Sequence, residues 1–336
     1  KTGPTTMTRS RAGNRPDGFI LIVVLGAVLV LSALLIGFNQ MMRTRLGTAD
    51  SFYRTEQIAN AARAGLQIAL AAVRDSDDIG TDPQFSKLVT GENSFPIEEA
   101  QCSIAILDES GLLNVNRLKG PDGQIDRRAV DQFLRLIDLV NRQEKEEGER
   151  IGYGIVPCIV DWTDSDDEVT RLSFVQRENT GAEDGHYRLQ SPSYPCRNQP
   201  LDTVDDLLSV KGITPEILSR LGPYLTCVGD GKINVNAAPK LVLESLCEQM
   251  DNALVQMILD RRRLGPFENP AQFRDLPGMT DKVYRAIKDR IVVRPTERFY
   301  RVTSQASMAE RKCVVEALLQ RNTQARTVDI ILYREL

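Results

Sequence analysis

Histidine is nearly absent from this 336-residue chain, which carries only His186. A multi-histidine metal site is therefore excluded, and a histidine-based triad nearly so, since it would have to use His186. The chain also lacks a Walker A sequence, a dinucleotide fingerprint, a G-x-S-x-G elbow and an H-E-x-x-H motif, so no familiar catalytic signature is present. An excess of positive charge is missing as well. Lys plus Arg number 42 against 46 Asp plus Glu, a net charge of -4, so no bulk field holds nucleic acid. Six cysteines, Cys102, Cys158, Cys196, Cys227, Cys247 and Cys313, occur without a C-x-x-C pair, which argues against zinc ribbons and thioredoxin-type redox sites. A bridge between Cys158 and Cys196 and a set of buried free thiols both remain open.

Charge is absent altogether from Phe19 to Met42, and the first nineteen residues of that stretch, FILIVVLGAVLVLSALLIG, are broken only by Ser32 among polar side chains. At about 1.5 Å per residue this nearly matches a hydrocarbon core of roughly 30 Å, so a membrane helix is expected. Lys1, Arg9, Arg11 and Arg15 precede it with a single acid, Asp17. That bias keeps the short N-terminus cytoplasmic and sends the rest outward. A removable secretory signal fits less well, because the apolar run is long and no A-x-A-like site follows it. Because the sequence opens on Lys1, translation is expected to start upstream of it or at Met7. At the boundary between basic leader and apolar run stands Gly18-Phe19, which resembles a type IV prepilin processing site, where a peptidase cuts after Gly.

Proline is missing from Phe19 to Val73. Beyond Arg43 the pattern turns amphipathic, with Ile58, Ala61, Ala62, Gly65, Leu66, Ile68, Ala69, Ala72 and Val73 at helical spacing among charged residues. One long helix, half in the membrane and half on a globular domain, is the simplest reading; an anchor followed by a separate helix is the other. Residues 75–95 read as a connector, CSIAIL as a strand from Cys102, and DESG as a turn into LLNVN. Residues 126–292 are mostly helical by pattern, with a solvated charge run from Arg142 to Arg150. Strand character returns in FYRVTSQAS, KCVVEALLQR and VDIILYREL. Strand-like ends around a helical middle predict an α+β fold with a helical insert.

Two internal similarities occur. DESGLLNVN, ending on Asn114 and Asn116, recurs as GDGKINVN, ending on Asn234 and Asn236. Helix capping is the expected role of the last Asn in each, and ligand binding the alternative. LLSVKGITPEILSRL pairs with FRDLPGMTDKVYRAI, and both resemble helix-hairpin-helix elements. DNA-binding versions hold phosphate at such turns. Arg261, Arg262 and Arg263 favour that reading, while Asp202, Asp205 and Asp206 oppose it.

Asp161, Asp164, Asp166, Asp167 and Glu168 place five carboxylates in eight residues around the only tryptophan, Trp162. Such density calls for solvation or a cation, and hard oxygen ligands suit calcium. The spacing is not an EF-hand, since Val169 and Val175 stand where its turn glycine and last ligand belong. Glu183 and Asp184 are candidates to complete a site with Asp164, Asp166, Asp167 and Glu168. An exposed acidic loop is the other reading. No nucleophile accompanies these carboxylates, so an enzyme is not expected.

In order and spacing, Gly18-Phe19, DESGLLNVN, VDWTDSDDE, GAEDGHY, PLDTVDDLLSVKGIT and KINVNAAP together resemble type II secretion system protein K, the minor pseudopilin K family of the general secretion pathway. The resemblance runs from Gly18 to the C-terminus. It implies a type IV pilin-like α+β fold, with a long N-terminal helix on an antiparallel sheet and a large inserted α-helical domain containing helix-hairpin-helix or SAM-like elements. The expected divisions are a leader over 1–18, the transmembrane half of the helix over 19–42, the pilin-like domain over 43–125 and 293–336, and the insert over 126–292. It further implies processing by prepilin peptidase, a single inner-membrane pass and a periplasmic body. Calcium is expected in the insert. The implied partners are minor pseudopilins I and J at a filament tip, the major pseudopilin filament and the inner-membrane assembly platform. Most pilins carry Glu as the fifth mature residue, whereas here it is Val23, as in protein K. A subunit with no neighbour above it does better without an unpaired carboxylate in the membrane. A competence-type minor pilin that binds DNA through its hairpins is the alternative.

Overall fold

The computed structural model describes residues 17–76, 85–91, 93–120, 122–143 and 150–336. Helix α1 (Asp17–Asp75) is continuous over 59 residues, as a stretch free of proline permits. Among the described residues, those up to Gln57 and those from Ile58 on fall into separate units. In the first, every residue from Phe19 to Asp50 is exposed, and the most apolar part of the helix has a mean hydropathy of 3.2. Helix α1 is long and apolar enough to cross a bilayer once. Gly18, Phe19 and Val23 lie in its first turns, while residues 1–16 of the leader lie outside the described residues. So do 77–84 and 92 of the connector, which contains α2 (Ser86–Thr90), and 144–149 of the charge run.

The second unit contains β1 (Phe95–Ile97), β2 (Ala100–Asp108), β3 (Leu113–Asn114), β4 (Leu225–Thr226), β5 (Ile233–Asn234), β6 (Ile291–Val292), β7 (Glu297–Met308), β8 (Arg311–Asn322) and β9 (Thr327–Glu335). Strands β1, β2, β7, β8 and β9, in that order, make one antiparallel sheet. Alternation along β2 turns Ala100, Cys102, Ile104 and Ile106 inward. They meet Ile58, Ala61, Ala62, Leu66, Ala69, Ala72 and Val73 of α1 in one core. Small residues on the helix allow close approach to the sheet. At Gly65 a Cβ would stand 2.2 Å from Ser304 Oγ and 2.7 Å from Cys102 Sγ, so even alanine is excluded there without a shift.

The register explains where the insert sits. Strands β2 and β7 are direct neighbours, with Asp108 opposite Tyr300, yet most of the chain lies between them. The excursion holds α3 (Arg127–Gln143), α4 (Ile155–Thr163), α5 (Asp184–Tyr187), α6 (Pro215–Leu221), α7 (Lys240–Ser245), α8 (Asn252–Arg263), α9 (Pro270–Arg274) and α10 (Asp281–Ile287). It departs from the sheet directly after Asp108, ahead of residue 126. The LLNVN segment does not extend the sheet, because Leu113–Asn114 pairs in parallel with Leu225–Thr226 inside the insert. Glu109, almost fully buried, ties the departing chain back through an ion pair with Arg301 of β7 and a 2.5 Å bond from Thr226 Oγ1. Arg334 of β9 adds a second tie, to Asp205 of the insert at 2.9 Å.

Within the insert one supersecondary unit occurs twice. Ile233–Asn234 pairs in parallel with Ile291–Val292, as Leu113–Asn114 pairs with Leu225–Thr226. Each hairpin turns on a left-handed glycine, Gly212 (φ +84°) or Gly278 (φ +86°). Each following helix is capped by a threonine, Thr214 or Thr280. The expected capping by Asn116 and Asn236 is corrected: α7 follows Pro239, with no side-chain cap. Asn116 instead accepts from Leu201 N and donates to the carbonyls of Leu201 and Cys227. Asn236 repeats this with Phe267 N and the carbonyls of Phe267 and Val293. Extended backbone with no ladder partner needs its polar groups satisfied when buried, and one carboxamide per repeat does this. Each repeat has its own core, one around Phe133, Ile159 and Tyr187, the other around Phe267, Phe273 and Ile258.

Candidate metal centre

Helix α4 reads IVPCIVDWT and is buried along almost its whole length. One carboxylate, Asp161, is carried into that apolar environment and is fully buried. Its Oδ1 accepts from Thr170 N at 2.9 Å, while Oδ2 has no partner. The helix ends at Thr163, so Asp164 follows in extended conformation. The chain then loops out and returns through Gly181 to Glu183. A Cβ at Gly181 would stand 2.1 Å from Asp161 Oδ2, so glycine is required for this return.

The result is a cluster of three carboxylates, Asp161, Asp164 and Glu183, with one oxygen of each lying within 4.8 Å of the others. Oδ2 of Asp161, Oδ1 of Asp164 and both oxygens of Glu183 are buried without hydrogen-bond partners. The Cys196 thiol offers Glu183 only a weak contact. Burial, then repulsion from Asp161 and Asp164, pushes Glu183 up to about 7. Asp161 and Asp164 are also raised, first by burial. Lys119 donates to Asp164 Oδ2 at 2.5 Å and offsets part of that rise.

Of the six residues expected to bind calcium, the fold brings Asp164 and Glu183 together, and it adds Asp161. Asp166, Asp167 and Glu168 lie on the exposed part of the loop. Asp166 meets Lys119 at 3.3 Å and the Glu168 amide; Asp167 accepts from Asn198 Nδ2 at 3.0 Å. Asp184 is engaged elsewhere, by Arg188 and by Cys196 N, and these bonds hold it below the usual carboxylate range. The signal for Asp161 was available as the lone acid in an apolar helical stretch. Lys119, distant in sequence, gave none.

The donor set fits a hard cation. Oxygens at about 2.3–2.6 Å on opposite sides of a calcium ion stand about 5 Å apart, close to the spacing found. Soft-metal chemistry is disfavoured, because burial pushes the neighbouring Cys196 thiol up to about 12 and keeps it protonated. Cys158 behaves likewise at about 11. The suggested Cys158–Cys196 bridge is not formed, and all six cysteines are free thiols. Trp162, next to Asp161 in α4, stands edge-on to Tyr187 at 4.6 Å.

The hairpins show no comparable site. Arg262 donates to the carbonyls of Val235 and Ala238, Arg261 to that of Gly265, and Arg263 to Asp260. These arginines hold the fold rather than line a phosphate track.

An apolar N-terminal helix whose last turns, from Ile58 on, pack on an antiparallel sheet defines a pilin-like subunit. A family model described as type II secretion system (T2SS), protein K, matches residues 111–230, and a second of the same description matches 233–294, together more than half of the chain. These stretches coincide with the two repeats of the insert. The chain belongs to the type II secretion system protein K family and is a minor pseudopilin.

Type II secretion system protein K of Pseudomonas aeruginosa is 25% identical over 92% of this chain and 90% of its own length. That of Aeromonas hydrophila is 23% identical over 81% and 78%. Among solved structures, a chain in the crystal structure of the GspK-GspI-GspJ complex from the enterotoxigenic Escherichia coli type 2 secretion system shares the fold. Its TM-score is 0.63 at 20% identity, covering 88% of this chain and 99% of that one.

Proposed function

We propose that this chain starts and caps a periplasmic pseudopilus, held in the inner membrane by α1 until it is assembled with minor pseudopilins I and J. The observation that carries this reading is the position of the insert. Residues 109–296 leave and rejoin the sheet between two adjacent strands, so the added bulk sits at one end of a strand pair and leaves the helix-sheet core unchanged. Such bulk obstructs stacking of a further subunit over it. Partnership with I and J is supported by the GspK-GspI-GspJ complex, in which the similar chain is found. Val23, where most pilins carry Glu, fits a subunit with nothing above it. The major pseudopilin filament and the assembly platform are the further partners this role requires, and the chain itself performs no chemistry.

Two further elements belong to the proposal. Prepilin peptidase cuts between Gly18 and Phe19, leaving the apolar helix as the new N-terminus. Calcium is held by Asp161, Asp164 and Glu183, whose buried unpaired oxygens are the supporting observation. Calcium there supplies charge neutralisation, and the exposed Asp166, Asp167 and Glu168 follow the end of α4 in the chain. Mass analysis of the protein extracted from membranes tests the processing step. The expected mature chain begins at Phe19. An intact leader in cells with active peptidase would contradict the assignment.

A further inference from the structure

The acidic cluster contains a positive charge of its own. Lys119 lies at the start of a tight loop before α3, which is closed by Gly120 N to Gln124 O at 2.8 Å and Asp126 N to Leu118 O at 2.9 Å. Its Nζ donates to Asp164 Oδ2 at 2.5 Å and to Asp166 Oδ2 at 3.3 Å. Only Oδ2 of Asp164 is used. Its Oδ1 remains buried and unpaired, and Asp164 is grouped with Asp161 and Glu183. Asp164 therefore stands between two positions for positive charge, one taken by the ammonium and one facing the unpaired oxygens.

Charge balance gives this arrangement a consequence. Three buried carboxylates carry three negative charges, and net charge in such a place is costly unless compensated. One ammonium and one divalent ion cancel them. A trivalent ion in the same position leaves one positive charge in excess. Asp166 does not alter this balance much, because its side chain is 52% exposed and screened by water, against 5% for Asp164.

We propose that Lys119 is a built-in counter-ion that sets this site for a divalent rather than a trivalent cation. The inference rests on the calcium reading above and concerns its selectivity. Lys119 is a positioning residue, acting through Asp164 without touching the cation. Removing its charge leaves three carboxylates that a trivalent ion neutralises fully and a divalent ion only partly, so preference shifts toward the trivalent ion.

The test uses the detergent-solubilised full chain with Tb³⁺ and Ca²⁺ as probes. Trp162, the only tryptophan, is adjacent to Asp161 and sensitises Tb³⁺ luminescence, so occupancy of this site is read selectively. Competition titration gives the ratio of Tb³⁺ to Ca²⁺ affinity. Lys119→Gln and Lys119→Met are expected to raise that ratio by about tenfold or more. Lys119→Arg, which keeps the charge, retains the wild-type ratio. An unchanged ratio in Lys119→Gln and Lys119→Met, with both ions still bound, overturns the role of Lys119 and leaves the calcium reading standing. Failure of the wild-type chain to bind either ion overturns both.

Discussion

Replacing residues 109–299, the insert and the first three residues of β7, by Asn-Gly should leave a folded pilin-like domain and reduce secretion to the level of a strain lacking the protein. The first half follows from register. Asp108 and Tyr300 are directly paired across β2 and β7, so a two-residue turn of the type favoured in hairpins joins them without moving either strand. The core between α1 and the sheet uses Ile104, Ile106, Val302 and Leu319, all outside the excised segment. The excision removes Glu109 and Asp205, partners of Arg301 and Arg334, but both arginines are part-exposed and recover water. The second half follows from the proposed capping role, since the shortened subunit has lost the bulk that marks the tip. Circular dichroism and thermal melting check folding, and export of a reporter protein checks function. Normal secretion by the shortened, folded chain would contradict a role for the insert.

Calcium should raise the melting temperature of the chelator-stripped protein by about 5–10 °C when present at about a hundredfold over its dissociation constant. Asp161→Asn and Gly181→Ala should each abolish that gain, the first by removing a charged ligand and the second by displacing Asp161 Oδ2. The pH dependence has a defined sign. Glu183 is raised from 4.5 to about 7 in the folded state, so the folded chain binds the proton more tightly than the unfolded one. Its contribution to the stability of the metal-free protein is complete below about 4.5 and is lost as pH rises through about 7. The loss is on the order of 3 kcal/mol. Calcium is expected to bind the deprotonated form, so its stabilising effect should grow over the same interval. Differential scanning calorimetry at pH 5 and pH 8, with chelator or calcium, reads all four states. A metal-free wild type that gains stability relative to Glu183→Gln between pH 5 and pH 8 would refute the burial of an unpaired carboxylate at this position.

The parts of the fold that follow local pattern were legible in the sequence. The proline-free stretch and its change from fully apolar to amphipathic mark α1, and alternation marks β2, β7, β8 and β9. The two internal similarities mark the two repeats. The point where the insert departs was not legible, because LLNVN has strand character wherever it pairs. Its actual partner, Leu225–Thr226, is set by tertiary packing of the first repeat. Asn116 and Asn236 misled for a related reason. Their positions suit a cap, but the buried carbonyls and amides they satisfy lie far along the chain and have no local signature. At the candidate metal centre, composition identified the loop but not its inward face. Asp184 adjoins Glu183 in sequence yet bonds Arg188 one turn on, because successive residues entering a helix point in different directions.

Gold labelling of pseudopili with an antibody to the insert tests the central claim most directly. When the filament is overproduced and sheared from cells, label is expected at one end of each filament and absent along the shaft. Label distributed along the shaft would contradict a subunit whose insert closes the tip.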